Sequence, residues 1–224
     1  MNAVLVIAAI GLLALVLFFE RRQRRTFYLP LKTVLSLLFI AAALVQPRPL
    51  TVYFTFLVGG LGFCLAGDVL LALPGQKVFR LGLGAFLVGH LAYVLAFVRI
   101  SSPRGLVFWS ATVGVLIASA FVFRWLEPFL GRMRGPVLAY VAAISAMLIA
   151  ALAVAGNDGL AASGRAMVLL GALCFYLSDL FVARQRFVAP AFSNRLLGLP
   201  LYYIGQFLLA FSVGGFSKSE LLTT

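Results

Sequence analysis

A succession of apolar runs, each long enough to cross a bilayer and parted from the next by a few polar residues, sets the limits on what this chain can become. The runs fall near 2–19, 29–45, 51–73, 81–98, 106–126, 136–155, 166–183 and 196–214, broken by Pro, Gly and Arg. A helix needs about 20 apolar residues to span a hydrocarbon layer of about 30 Å. Inside lipid every backbone polar group must be paired within a helix or a closed barrel. With 63% of its 224 residues apolar, only 11% charged and a mean hydropathy of +1.10, the chain has no composition left for a soluble core. The expected fold is all-α: one polytopic membrane domain over 1–224, a bundle of about eight transmembrane helices.

Charge sets the expected orientation. Between the runs, the first, third, fifth and seventh loops carry 12 Lys and Arg, whereas the other side carries five (Arg48, Arg99, Arg104, Arg165 and Lys218). The positive-inside rule then puts the odd loops in the cytoplasm of a multi-pass cell-membrane protein and both termini outside. The stretch from Met1 to Phe19 lacks a basic leader and ends in a charged cluster, so it reads as a retained first helix. The short polar tail from Ser217 to Thr224 suggests no further domain. A net charge of +12 would raise nucleic acid as a partner in a soluble protein, but here the basic residues sit in loops with no basic helix among exposed aromatics. The expected neighbours are membrane lipids, and no nucleic acid.

Four of the six acidic residues, Glu20, Glu127, Asp158 and Glu220, fall in loops or at ends, where solvation explains them. Asp68 and Asp179 lie inside spans. A carboxylate there costs about 2.5–3.5 kcal/mol on insertion scales, so such groups face the bundle interior and mark functional paths. Asp68 lies six residues before Pro74 and Asp179 five before Arg184, which puts both about 8–9 Å inside the odd-loop end. They are expected on adjacent helices facing one cavity, about 5–10 Å apart. Lys32, Tyr202 and Tyr203 enter from the same side, and Gln206 follows Tyr202 by one helical turn. His90, the only histidine, aligns with Tyr93 and Phe97 on one helix face near the midplane. Glycines at 59, 60, 62, 67, 82, 84 and 89 would allow spans 3 and 4 to pack closely. Ser178 is expected to bond the helix backbone. Cys64 and Cys174 sit in spans as small apolar side chains, and no Cys or His spacing suits a metal. A faint internal repeat is visible, in which Gly60 and Gly171 each precede an Asp by seven intervening residues; it would give two parallel four-helix halves.

Taken in order, Lys32, Gly67-Asp68, Gly89-His90-Leu91-Ala92-Tyr93, Ser178-Asp179 and Tyr202-Tyr203-Ile204-Gly205-Gln206 resemble the YhhN family, whose characterised members are lysoplasmalogenases. One departure is Thr33 after Lys32, where the family often has proline; here the proline is Pro30. The resemblance implies an eight-helix hydrolase that cleaves the vinyl ether of a lysophospholipid to a fatty aldehyde and a glycerophospho-headgroup. It implies Asp68 and Asp179 as catalytic residues, and Lys32, His90, Tyr93, Tyr202, Tyr203 and Gln206 around the substrate. Protonation of a vinyl ether gives an oxocarbenium ion that water captures, a task suited to two carboxyl groups, one acid and one base, with no cofactor. A lysolipid headgroup would lie near the odd-loop arginines and Lys32. The rival reading is a proton- or cation-coupled transporter using the same Asp pair.

Overall fold

The computed structural model describes residues 1–216; Lys218, Glu220 and the rest of the polar tail lie outside the described residues. It contains eight α-helices: α1 (Asn2–Arg21), α2 (Arg25–Leu44), α3 (Thr51–Ala72), α4 (Gln76–Val98), α5 (Gly105–Leu130), α6 (Arg134–Ala155), α7 (Ala162–Ala183) and α8 (Phe192–Gly215). There is no strand among the described residues. The helices start and stop where apolar runs meet Pro, Gly and Arg. Pro74-Gly75 separates α3 from α4, and Gly75 has φ 117°, a conformation open to glycine at little cost.

Seven apolar helical runs make eight crossings. The run from Gly105 to Ala155 is 51 residues long, which as a straight helix would measure about 77 Å, over twice the hydrocarbon thickness. It folds back through a 3-10 turn, Gly131–Met133, where Gly131 takes φ 49°. Ser119 of α5 and Ser145 of α6, nearly equidistant from that turn, meet at 2.7 Å and show the two helices running antiparallel. The other exception to plain α-helix is a π-helical turn, Arg184–Val188, that prolongs α7. Side chains tie it to α8: Arg184 donates to Asn194 Oδ1 at 2.5 Å, and Asn194 donates to Gln185 Oε1 at 2.9 Å.

Helices α3, α4, α6, α7 and α8 form a ring in that order, with α8 closing back on α3. Helix α2 covers α3 and α8, α1 lies on α2 and α8, and α5 lies on α6. Two hairpins in the ring, α3–α4 and α7–α8, close at glycines. A Cβ on Gly60 would come within 3.1 Å of Gly89 O, and one on Gly205 within 2.8 Å of Gly171 O. Backbones that close gain van der Waals contact and exclude lipid. Of the glycines expected to serve this purpose, Gly60, Gly67, Gly82 and Gly89 do; Gly59, Gly62 and Gly84 have nothing within 4 Å and face outward. Outward faces are apolar, as at Ile10, Phe121 and Trp125, so the surface suits lipid rather than water. The protein is a multi-pass membrane bundle.

Candidate active site

Inside the ring, Asp68 of α3 is enclosed by donors. The Lys32 ammonium of α2 lies 2.8 Å from Oδ1, Tyr202 of α8 donates to Oδ2 at 2.7 Å, and Ser36 of α2 reaches the same oxygen at 2.6 Å. These are charge-assisted contacts of the strong kind. Behind Tyr202 the chain of bonds continues in one direction: Tyr93 donates to Gln206 Oε1 at 2.7 Å, and Gln206 Nε2 donates to the Tyr202 oxygen at 3.2 Å. Because Gln206 occupies a lone pair of that hydroxyl, the Tyr202 proton is left to point at Asp68. Tyr203 meets Ser36 at 3.3 Å and closes the shell.

Asp179 of α7 is placed differently. Its side chain is 15% exposed against 2% for Asp68. Among the described residues its one hydroxyl donor is Tyr140 of α6, at 2.7 Å from Oδ2. His90 of α4 faces the same oxygen, with Nε2 3.8 Å away. His90 Nδ1 lies 2.6 Å from the Phe86 carbonyl, which can only accept, so Nδ1 carries a proton. His90 Nε2, buried and without a hydrogen-bond partner, faces the Asp179 carboxyl, and in a neutral ring it is bare. Two facing lone pairs repel in a dry interior, and one proton between them removes the conflict. The 3.8 Å gap is beyond hydrogen-bond range.

Both carboxyl groups line one cavity of about 110 Å³, walled by apolar side chains including Phe86, Val122, Leu126 and Ile144. The expectation of adjacent helices is corrected: α3 and α7 are not neighbours in the ring, since α8 stands between them on one side and α4 with α6 on the other. Lys32 and Tyr202 also line the cavity, whereas His90, Tyr93, Tyr203 and Gln206 lie behind its wall. Sequence reasoning missed Ser36 and Tyr140, since a lone Ser or Tyr in an apolar helix gives no signal. It also took Ser178 to bond its own helix, but Ser178 donates across to Gly198 O of α8 at 3.0 Å. Glu20, read as a solvated charge, is only 20% exposed and lies 3.2 Å from Arg195 Nε.

The sequence profile of the YhhN family matches residues 27–213. The chain belongs to the YhhN family. Among relatives of this YhhN chain, a protein of Mycobacterium bovis named lysoplasmalogenase is 34% identical over 175 residues, 75% of this chain and 62% of that one. Human lysoplasmalogenase TMEM86A is 34% identical over 163 residues, covering 68% and 62% of the two chains. Human lysoplasmalogenase TMEM86B is 32% identical over 182 residues, covering 80% and 72%. The match thus spans 62% of the length of the first two relatives. No solved structure matches the chain. The YhhN match takes in α2 to α8 and both aspartates, and leaves α1 outside.

Proposed function

We propose that this protein is a membrane hydrolase that cleaves the vinyl ether of a lysoplasmalogen. The observation that carries the reading is that two carboxyl groups meet one apolar cavity in unlike proton environments, which is how acid and base roles are divided between paired carboxyls. The names of the relatives supply the substrate class.

In this reading Asp68, held by Lys32, Ser36 and Tyr202, is the permanent carboxylate, and Asp179 carries the working proton. Asp179 gives its proton to the alkene carbon remote from the ether oxygen, and the π electrons form the new C–H bond. The cation left behind is an oxocarbenium ion, stabilised by the Asp68 carboxylate. Water adds to the carbon bearing oxygen, and its surplus proton returns to the Asp179 carboxylate, which lines the cavity while His90 faces that carboxyl from behind the wall. The hemiacetal collapses to aldehyde and glycerol hydroxyl, so the sum is one water consumed per ether broken. The Tyr93–Gln206–Tyr202 chain keeps a donor on Asp68 and so acts through it. The odd-loop end, where the site lies, is cytoplasmic in this reading, and both termini face outward.

The test is aldehyde release from lysoplasmalogen by the purified chain in detergent. Asp179→Asn and Asp68→Asn, which keep shape but lose the carboxylate, are each expected to reduce turnover by about 10²–10⁴-fold, the range of general acid–base catalysis. His90→Gln and Tyr202→Phe are expected to slow it less. Two folded Asn variants with near-normal rates would remove the carboxylate assignment. Wild-type protein that releases no aldehyde, yet shows Asp-dependent proton flux in proteoliposomes, would replace the hydrolase with a transporter.

A further inference from the structure

A second cavity, of about 300 Å³, lies at the odd-loop end, between the α1–α2, α3–α4 and α7–α8 turns. Leu71, Phe79, Arg186 and Arg195 line both this vestibule and the cavity that holds the aspartates, so the two hollows meet there. The charged side chains of the vestibule are Arg24, Arg186, Arg195 and Glu20, three cations against one carboxylate. Lys32, expected at the headgroup, is withdrawn from it, because its ammonium is committed to Asp68 and it is almost wholly buried.

The arginines retain donors. Arg195 Nε is buried and has no hydrogen-bond partner; its N–H is not aimed at the Glu20 oxygen 3.2 Å away, which holds the guanidinium by charge alone. Arg186 lies with its guanidinium 4.1 Å from the centre of the Phe79 ring. Stacking on an aromatic face leaves the N–H edges free for a planar, bidentate acceptor such as a phosphate. Spacing agrees as well. Leu71, on the shared rim, is one turn from Asp68, about 4.5 Å along α3. The three carbons of a glycerol unit, with the oxygen at each end, cover about 5 Å. A vinyl ether at the aspartates would therefore put the phosphate of the same molecule in the vestibule.

We propose that this vestibule is a phosphodiester-headgroup subsite, in which Arg195 and Arg186 hold the phosphate of the lysolipid and Glu20 fixes Arg195. The subsite selects glycerophospholipids over neutral alkenyl lipids. It rests on the hydrolase reading and adds a binding element from α1, which lies outside the family match.

The test compares aldehyde release from a 1-alkenyl-glycerophosphoethanolamine and from the 1-alkenylglycerol that lacks the phosphate, using the full chain in detergent. Wild type is expected to favour the phospholipid at least tenfold in kcat/KM. Arg186→Gln and Arg195→Gln are expected to bring the ratio towards one through KM. Soluble glycerophosphoethanolamine, titrated calorimetrically into wild type and into Arg186→Gln, reads the subsite without turnover and without reliance on Arg195, whose loss could disturb the α1 contact. It is expected to bind wild type and to bind the variant at least fivefold more weakly. Equal kcat/KM for the two lipids, or no calorimetric binding, overturns the subsite while leaving the hydrolase in place. Inorganic phosphate binding as tightly as glycerophosphoethanolamine also overturns it, in favour of a free-anion site. Binding of glycerophosphoethanolamine with no aldehyde from either lipid overturns the hydrolase and leaves the subsite.

Discussion

At the scale of residues, the contact that most deserves dissection is Lys32–Asp68, at 2.8 Å between two side chains that are almost wholly buried. Attraction between two buried charges is offset by the loss of their hydration, so the pair itself is a weak source of stability. Removing one partner is another matter, since a lone buried charge remains. Lys32→Met is therefore expected to destabilise the protein by about 3–5 kcal/mol in reversible denaturation. Lys32→Met combined with Asp68→Leu is expected to regain most of that loss while remaining inactive. A single variant as stable as wild type would mean that Ser36 and Tyr202 alone satisfy Asp68. The sequence singled out Lys32, Asp68, Asp179 and His90 because charge is conspicuous in an apolar helix. Ser36 and Tyr140 were invisible because they are cheap to bury and become informative only when a carboxyl lies within 2.7 Å.

At the scale of elements, two hairpins use one device. In α3–α4, Gly60 packs on Gly89; in α7–α8, Gly171 packs on Gly205. In each, the Asp lies eight residues after the first glycine, and a polar residue, His90 or Gln206, immediately follows the second. The service is exchanged between them, for His90 of the first hairpin faces Asp179 of the second, and Tyr202, backed by Gln206, serves Asp68 of the first. Contact between glycines thus sets the spacing of the whole site. A methyl group at 205 would meet Gly171 O at 2.8 Å and Phe175 N at 3.1 Å, both backbone atoms that yield only if α7 and α8 part. Gly205→Ala is expected to cost about 1–3 kcal/mol and to lower activity with it. Gly62→Ala, with nothing within 4 Å, is the control and is expected to be neutral or to gain up to about 1 kcal/mol from helix propensity. Thermal unfolding in detergent reads both; equal midpoints would show that the close approach is not what holds the hairpin.

At the scale of the whole molecule, the 12 basic residues of the odd loops against five elsewhere carry the proposed orientation. Ser101→Cys in the α4–α5 loop is expected to react with a membrane-impermeant maleimide on intact cells, and Ala189→Cys in the α7–α8 loop only after permeabilisation. The native Cys64 and Cys174 lie within α3 and α7, away from either surface, and leave the readout clean. The reverse pattern would put the vestibule and the aspartates on the outer side, and a substrate would then have to enter from the outer leaflet.

What the sequence determined by itself was everything that follows from the solvent: helices rather than strands, their number, and the anomaly of charge within them, because lipid forbids unpaired backbone and penalises carboxylates one residue at a time. It separated the runs 106–126 and 136–155 but could not say that helix continues through Arg124, Glu127, Arg132 and Arg134 and folds back at Gly131, since those charges read as a loop and the fold rests on a backbone angle. Nor could it say which aspartate is ion-paired and which faces a bare imidazole nitrogen. That depends on the order of helices in the ring, which brings α2 and α8 to Asp68 but α4 and α6 to Asp179. Helix order is settled by glycine contacts and interhelical hydrogen bonds between residues up to 167 positions apart, and no local pattern encodes a partner at that distance.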